Sequence, residues 1–335
     1  MRCPHCRAQA EATRSPQELT GDEAKRFMRE ISAFAKPRLV FSGGEPLVRE
    51  DIYELIAYAS GLGLRPAVAT NATMITKEVA QRLKKVKVEV AAVSIYGSNS
   101  SVHDEFCGHS GAFKATHLGI KNIKKAGISL QINTTLTKRN LSELEAMADF
   151  AHTQGASAYH VFFLVPTGRG RYLKGDSISP GEYEEAFNRL YELQMSSSLS
   201  IKVTCAPHYY RVFRQKEAQQ HNKGLFRKDF HPRMTKGCLT GQGVCFVSHK
   251  GEVFGCGYLD ILAGDLRKQD FRKIWFESEL FKSLRDDSQL LGKCAICEFK
   301  KVCGGCRARA YAATANYLEE EPECLYQPLT EKSLT

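Results

Sequence analysis

The regular alternation of strand and helix patterns between residues 20 and 205 constrains the fold of this chain most strongly. Runs of β-branched and apolar residues alternate with segments of helical periodicity, at the spacing of one βα unit, roughly 30 residues. This order predicts parallel strands joined by right-handed helical crossovers. Because about six such units are present, we expect an α/β fold with a partial (β/α) barrel of the TIM type rather than a flat sheet.

The predicted elements can be placed by residue number. Strands are expected at residues 38–41, 66–70, 86–95, 129–135, 159–165 and 200–204. Helices are expected at residues 51–60, 77–85, 114–126, 141–154 and 182–195. Thr20 and Glu23 have the spacing of a capping box, which predicts a further helix after residue 20.

Unusual residues follow the carboxyl ends of these strands. In barrels, binding and catalytic groups collect at that end of the sheet. The residues are Gly43, Gly44, Glu45, Pro46, Asn71, Ser94, Asn133, Thr135 and Val165. We therefore expect them to line one shared site that binds a cofactor.

The alternation ends after Cys205. Residues 206–236 are rich in basic and aromatic side chains, and a segment rich in Cys and Gly follows, with hairpin-like strands at 244–248 and 252–255. The sequence therefore predicts a barrel over 1–205, a bridging segment over 206–236 and a cysteine-rich domain over 237–335.

The 12 cysteines indicate metal sites. The chain has no signal-peptide pattern and no run of about 18 apolar residues, so we expect a cytoplasmic protein with no membrane span. In that reducing compartment, cysteines serve as ligands or redox groups rather than as disulfides. Eight of the 12 lie between Cys238 and Cys324, which scattered core cysteines would not do.

The net charge of +10 suits several partners. No run of Lys and Arg reaches five residues and aromatic residues do not interleave with basic ones, so we expect no nucleic acid partner. A polyanionic small molecule or an acidic electron-donor protein would match the charge as well.

Two short motifs in the first 50 residues resemble the radical S-adenosylmethionine (radical SAM) superfamily. Cys3-x2-Cys6 alone could equally be half of a zinc site. Gly43-Gly44-Glu45-Pro46 allows the backbone to approach a ligand, and its Glu can accept hydrogen bonds from an ammonium group. Together they resemble the cluster-binding loop and the methionine-binding strand of that superfamily. The resemblance implies that Cys3 and Cys6 are catalytic ligands of a [4Fe-4S] cluster whose open iron chelates S-adenosylmethionine.

The superfamily's cluster motif has three cysteines, and Cys3 and Cys6 match the last two. The first would lie two positions before Met1. We therefore expect a preceding cysteine and a first strand upstream of this sequence, and poor reconstitution of the radical site in the 335-residue chain. His5 stands where the superfamily usually has an aromatic residue.

The cysteines after residue 237 resemble the SPASM extension of some radical SAM enzymes. They form the pattern Cys238-x6-Cys245-x5-Gly251-x4-Cys256, then Cys294-x2-Cys297-x5-Cys303-x2-Cys306, then Cys324. The resemblance implies one cluster on Cys238, Cys245, Cys256 and Cys306 and another on Cys294, Cys297, Cys303 and Cys324. The extension usually ends in Cys-x3-Cys, one residue longer than here. A single auxiliary cluster and a double zinc ribbon remain alternatives.

The whole chain resembles the heme b synthases of the siroheme-dependent heme pathway. Segments that show this include Cys3-Pro4-His5-Cys6-Arg7-Ala8, Thr204-Cys205-Ala206-Pro207-His208-Tyr209 and Cys303-Gly304-Gly305-Cys306-Arg307. One departure is Ser94-Ile95-Tyr96-Gly97, where that family more often has Ser-Leu-Asp-Gly. The resemblance implies oxidative decarboxylation of two propionates of iron-coproporphyrin III to vinyl groups, with electrons from a protein such as flavodoxin or ferredoxin.

A substrate with four carboxylates favours planar guanidinium partners. The candidates are Arg169, Arg171, Arg211, Arg307 and Arg309, with His208 as a possible contact of the porphyrin iron. A SPASM peptide or protein maturase, another tetrapyrrole-modifying radical SAM enzyme and a zinc-binding module for nucleic acid are the alternative functions. His103 and Cys107 are expected in a loop as structural or solvent-facing residues, and Cys205 as a small buried hydrophobe.

Overall fold

A computed structural model describes residues 1–11, 13–222 and 236–329. Its main body is a six-stranded sheet in which every neighbouring pair is parallel and the strand order follows the sequence. The strands are β1 (Arg38–Phe41), β2 (Arg65–Thr70), β3 (Val90–Ser94), β4 (Ser129–Leu136), β5 (Ala158–Phe163) and β6 (Ser200–Thr204). This order confirms the predicted α/β fold of βα units.

Helices connect the strands of this body. They are α1 (Gly21–Ser32), α2 (Ile52–Gly61), α3 (Lys77–Lys85), α4 (Ser100–Cys107), α5 (Ala112–Lys125), α6 (Leu144–Thr153), α7 (Pro180–Ser196) and α8 (Tyr209–Asn222). Six of them were predicted from the sequence, and α4 and α8 were not. Thr20 and Glu23 form the expected capping box at the start of α1. Short 3-10 helices cover Pro46–Val48, Leu141–Glu143 and Gly168–Asp176.

Three predictions need correction in detail. The strand expected at 86–95 begins only at Val90, because Lys87 takes a positive φ of 64° in the turn after α3. The strand expected at 159–165 already ends at Phe163. His103 and Cys107 lie in α4 and not in a loop, and each is 1% exposed, so the solvent-facing alternative is wrong.

The bridging segment predicted at 206–236 contains α8 in its first half. Tyr209 and Phe213 of this helix are buried in the core between the sheet and its helices. Residues 223–235 of the predicted segment lie outside the described residues. Within the described part of the chain, no helix is long and apolar enough to cross a membrane.

The C-terminal region packs on the beginning of the chain. It contains the antiparallel strands β7 (Phe246–Val247), β8 (Glu252–Phe254) and β9 (Leu262–Asp265), then α9 (Phe271–Glu277), α10 (Glu279–Arg285), α11 (Gly292–Ile296) and α12 (Arg307–Thr314). A second hydrophobic core joins this region to α1 and α2. In that core the rings of Phe27 and Phe271 lie 5.1 Å apart, and the Leu19 amide donates to the His249 carbonyl.

Candidate active site and cysteine clusters

The loop that contains Cys3 and Cys6 is held against the segment that follows β5. The Arg169 amide donates to the Cys6 carbonyl at 3.0 Å, and its guanidinium donates to the carbonyls of Cys3 and Ala10, each at 3.0 Å. Gly168 takes a φ of +56°, and a Cβ there would lie 2.2 Å from the Arg7 carbonyl oxygen. Close approach at Gly168 and three hydrogen bonds from Arg169 therefore fix this loop.

The same loop contacts the Gly-Gly-Glu-Pro turn. A Cβ at Gly44 would lie 3.0 Å from the Cβ of Ala10, whereas a Cβ at Gly43 would meet nothing within 4 Å. The Glu45 carboxylate accepts hydrogen bonds from the Thr70 hydroxyl and the Asn71 amide, each at 2.9 Å. Burial raises the pKa of Glu45, although these hydrogen bonds oppose the rise. The two motifs of the first 50 residues are thus neighbours in space.

Cys107 lies beside Cys3, a contact that the sequence did not reveal. The Cys107 thiol donates a hydrogen bond to the Cys3 sulfur, which lowers the pKa of Cys3. His103 contacts Cys107 through its Nε2 at 3.5 Å and accepts from the Tyr96 amide through Nδ1 at 3.2 Å. Tyr96 in turn packs on His5, with 4.4 Å between ring centroids. Burial lowers the pKa of both histidines to about 4, so this aromatic wall is uncharged at neutral pH.

The remaining predicted cofactor residues lie at the same edge of the sheet. The Ser94 hydroxyl bonds with the Tyr96 side chain, and the Asn133 Oδ1 accepts from Gln131 at 2.7 Å. The Thr135 carbonyl accepts from Asn140 at 3.0 Å. Val165, just after β5, is buried and its carbonyl accepts from the Thr167 amide at 2.7 Å. Their direct contact with a cofactor stays a prediction.

The C-terminal cysteines form two groups, and the thiols within each group interact electrostatically with one another. Cys306 interacts with Cys238 and Cys256 in one group. Cys303 interacts with Cys294 and Cys324 in the other, and Cys294 also with Cys297.

Cys245 and Cys205 differ in how they interact with the other thiols. Burial is the one cause that raises the pKa of Cys245, to about 12, whereas the raised pKa of Cys238 also reflects repulsion by Cys306. Cys205 is not an isolated thiol, since it donates a hydrogen bond to the Cys306 sulfur.

The described ranges contain no group of three His, Cys, Asp or Glu side chains that converge closely enough to hold one metal ion. A zinc site requires four ligand atoms on one ion, at about 2.3 Å for sulfur. In a [4Fe-4S] cluster each thiolate binds a different iron.

One arginine connects the two cysteine regions. The Arg7 guanidinium, next to Cys6 in the chain, donates to the Gly257 carbonyl, next to Cys256, at 3.1 Å. It also lies 4.5 Å from the centroid of the Phe246 ring. The N-terminal loop and the C-terminal cysteine domain are therefore in direct contact.

The arginines predicted to bind substrate already have protein partners. Arg211 bonds with Glu184, and Arg307 donates to the carbonyls of Tyr317 and Glu319 at 2.9 and 2.7 Å. Like Arg169, these side chains hold the protein together. Arg171 is the most accessible of the candidates, with one bond, to the Gly168 carbonyl at 3.0 Å.

His208 and Arg309 are both deeply buried. Burial lowers the pKa of His208 to about 3, and neither of its ring nitrogens has a hydrogen-bond partner among the described residues. Arg309 donates to Glu321 and to the Leu164 carbonyl, each at 3.2 Å. A substrate role for either residue stays a prediction.

A parallel partial barrel with a Cys-x2-Cys loop against a Gly-Gly-Glu turn, followed by a cysteine-rich domain, defines a radical SAM enzyme with an auxiliary iron–sulfur domain. The comparisons agree. Residues 1–151 match the radical SAM superfamily and residues 238–298 match SPASM, an iron–sulfur cluster-binding domain. These two domains imply S-adenosylmethionine and iron–sulfur clusters as cofactors.

Curated relatives narrow the class. The chain is 49% identical to an AdoMet-dependent heme synthase of Methanosarcina barkeri, over 98% of this chain and 93% of that protein. It is 44% identical to another of Nitratidesulfovibrio vulgaris, over 97% and 89%. The fold is similar to that of Streptococcus suis SuiB bound to the precursor peptide SuiA, with a TM-score of 0.73, 17% identity, and coverage of 97% and 73%. The chain belongs to the radical SAM family of AdoMet-dependent heme synthases.

Proposed function

We propose that this protein forms heme b from iron-coproporphyrin III by oxidative decarboxylation of two propionate side chains to vinyl groups. The observation that supports this most is the 49% identity to an AdoMet-dependent heme synthase, which extends over both the barrel and the cysteine-rich domain. The contact between the Cys-x2-Cys loop and the Gly-Gly-Glu turn also supports it, because such chemistry requires a cluster and S-adenosylmethionine side by side.

The reaction balances if one electron leaves for each propionate. Each side chain gives up a β-hydrogen atom, carbon dioxide and one electron, and a vinyl group remains. When bound, S-adenosylmethionine with its cluster supplies hydrogen-atom abstraction, and an auxiliary cluster supplies an electron acceptor. The contact between Arg7 and Gly257 supports a short path between the two regions.

The chain's own residues would bind and orient the reactants. The Glu45 carboxylate is placed to accept hydrogen bonds from the ammonium group of S-adenosylmethionine, because its backbone and hydroxyl donors already fix its position. Arg169 would hold Cys3 and Cys6 through their carbonyls. Arg171 is the accessible guanidinium for a substrate carboxylate, and the net charge of +10 favours an anionic porphyrin.

We infer two auxiliary clusters, since the C-terminal cysteines separate into two groups around Cys306 and Cys303. An electron donor such as flavodoxin or ferredoxin and a cytoplasmic location complete the proposal, because the reduced clusters need a low-potential donor and a reducing compartment.

The test is turnover under anaerobic conditions. The protein is incubated with iron-coproporphyrin III, S-adenosylmethionine and dithionite, and the porphyrins are separated by mass. We expect the monovinyl intermediate and then heme b, and no product from the Cys6→Ser variant. Absence of vinyl products while the protein still cleaves S-adenosylmethionine would overturn the proposal and favour a peptide maturase. Colourless protein with stoichiometric zinc would overturn the enzyme class as well.

A further inference from the structure

Cys205 occupies an unusual position at the rim of the barrel. It follows the carboxyl end of β6 and takes a φ of +61°, a left-handed conformation that is uncommon for a residue with a side chain. Such a conformation is energetically unfavourable and persists where the surrounding structure requires it. Here the thiol reaches Cys306, the residue immediately before α12 in the C-terminal domain.

The space around this pair is built from the auxiliary cysteines. Cys238 and Cys256 both interact with Cys306, and Cys205 interacts with Cys256 as well. The Thr240 hydroxyl lies beside the Cys256 thiol, is almost completely buried, and makes no hydrogen bond of ordinary geometry within the described residues. A buried polar group left in this way is typical of a site whose ligand is not shown.

The glycines that flank Cys256 keep this space open. A Cβ at Gly255 would lie 2.6 Å from the Thr240 hydroxyl, and a Cβ at Gly257 would lie 2.4 Å from the Arg7 guanidinium. The backbone therefore approaches both neighbours as closely as glycine permits. Between these glycines, Cys256 interacts with both Cys205 and Cys306.

Cys245 does not take part in these contacts. Its thiol packs against the second hydrophobic core, as Cys205 and Cys256 do, but burial is the one cause that raises its pKa and no other thiol contributes. Cys205, and not Cys245, therefore interacts with the other thiols of this group.

We propose that Cys205 is the fourth thiolate ligand of the auxiliary cluster bound by Cys238, Cys256 and Cys306, and that Cys245 is not a ligand of it. One ligand then comes from the barrel and three come from the C-terminal domain. The cluster lies at the carboxyl end of β6, where an electron from a substrate at the barrel mouth can leave directly. The proposal rests on the presence of an auxiliary cluster and not on the identity of the substrate.

The test compares two serine variants in the full chain. Cys205→Ser and Cys245→Ser are each made together with Cys3→Ser and Cys6→Ser, so that the radical site contributes no iron. Iron and sulfide per chain and the EPR spectrum of the reduced protein are measured after anaerobic purification, and circular dichroism checks that each variant is folded. No porphyrin is added, so the outcome is independent of turnover.

We expect Cys205→Ser either to lose about four irons per chain or to retain them with shifted g-values, because serine is a poorer iron ligand than a thiolate. Cys245→Ser should keep the iron content and g-values of the parent. The proposal is overturned if Cys205→Ser leaves both unchanged in a folded protein, or if Cys245→Ser removes or shifts the same signal.

Discussion

Arg169 acts on the radical site through the backbone. Its amide and guanidinium make three hydrogen bonds to carbonyls of the loop that contains Cys3 and Cys6. Loss of one such buried hydrogen bond costs about 1–3 kcal/mol. Arg169→Lys should therefore release this loop, with amide hydrogen exchange of residues 1–11 roughly tenfold faster or more.

Arg171→Lys is the matched control, because its exposed side chain bonds the Gly168 carbonyl and not the cysteine loop. Mass spectrometry of pepsin fragments after exchange gives the readout without any need for turnover. Equal exchange rates in the Arg169 variant and the parent would show that other contacts hold the loop.

Site residues could be predicted from the sequence where they form a short motif whose function requires particular residue types at a fixed spacing. Gly43 and Gly44 had to follow a strand end, and Cys3-x2-Cys6 had to sit in a loop. The contacts of Cys107 with Cys3 and of Cys205 with Cys306 join residues about 100 apart in the chain, and no local pattern encodes them. The sequence marked Tyr96 only as a departure from the family motif and did not predict that its ring packs on His5.

Helix α1 connects the barrel to the C-terminal domain through its first turn. Glu23 closes the capping box with Thr20 and also accepts hydrogen bonds from Arg267 of the C-terminal domain. Arg267 and the Thr20 amide lower the pKa of Glu23 to about 2. A carboxyl with a lowered pKa stabilises the fold above its unfolded pKa, near 4.5, and this contribution disappears as pH falls toward 2.

Glu23→Gln should therefore destabilise the protein by roughly 0.5–1 kcal/mol at pH 7, the magnitude of a lost cap at an exposed site. The difference between variant and parent should shrink markedly at pH 3, because the unfolded carboxyl, with a pKa near 4.5, is then protonated and the folded one, with a pKa of about 2, begins to be. Urea unfolding at pH 7 and pH 3 measures this. A constant difference would show that the Glu23 charge does not contribute.

Elements were predictable where hydrophobic periodicity was strong. The β-branched runs located all six strands of the sheet, and β6 has the bounds that the sequence predicted. Helix α4 was missed because its apolar stripe is short and includes His103, which reads as polar although it is buried. Helix α8 was missed because its many basic and aromatic residues obscure the period.

At the scale of the whole molecule, a buried ion pair joins the barrel to the C-terminal domain. Arg309 donates to Glu321 at 3.2 Å and to the Leu164 carbonyl beyond β5, also at 3.2 Å. Glu321 in turn accepts from the Cys306 amide at 2.7 Å. Burial opposes ionisation of Glu321, but Arg309 and the Cys306 amide outweigh it and hold its pKa below the usual value.

Removal of both partners should cost less than the sum of the two single removals. Glu321→Gln leaves the Arg309 charge buried without its counterion, which typically costs 3–5 kcal/mol. Arg309→Met combined with Glu321→Gln should be less destabilised than the sum of the two single variants, by about 1 kcal/mol or more. Glu279→Gln, in an exposed pair with Lys282, is the control and should change stability by less than about 0.5 kcal/mol.

Thermal unfolding gives the stabilities, and iron content reports the cluster in the same samples. Because Glu321 also fixes the Cys306 amide, we expect Glu321→Gln to lose auxiliary iron in proportion to its destabilisation, while Glu279→Gln keeps it. Strict additivity of the two single variants would mean that Arg309 and Glu321 act independently. In that case the junction between the barrel and the C-terminal domain would depend on the second hydrophobic core and on other hydrogen bonds, such as those from Arg7 to Gly257 and from Arg267 to Glu23.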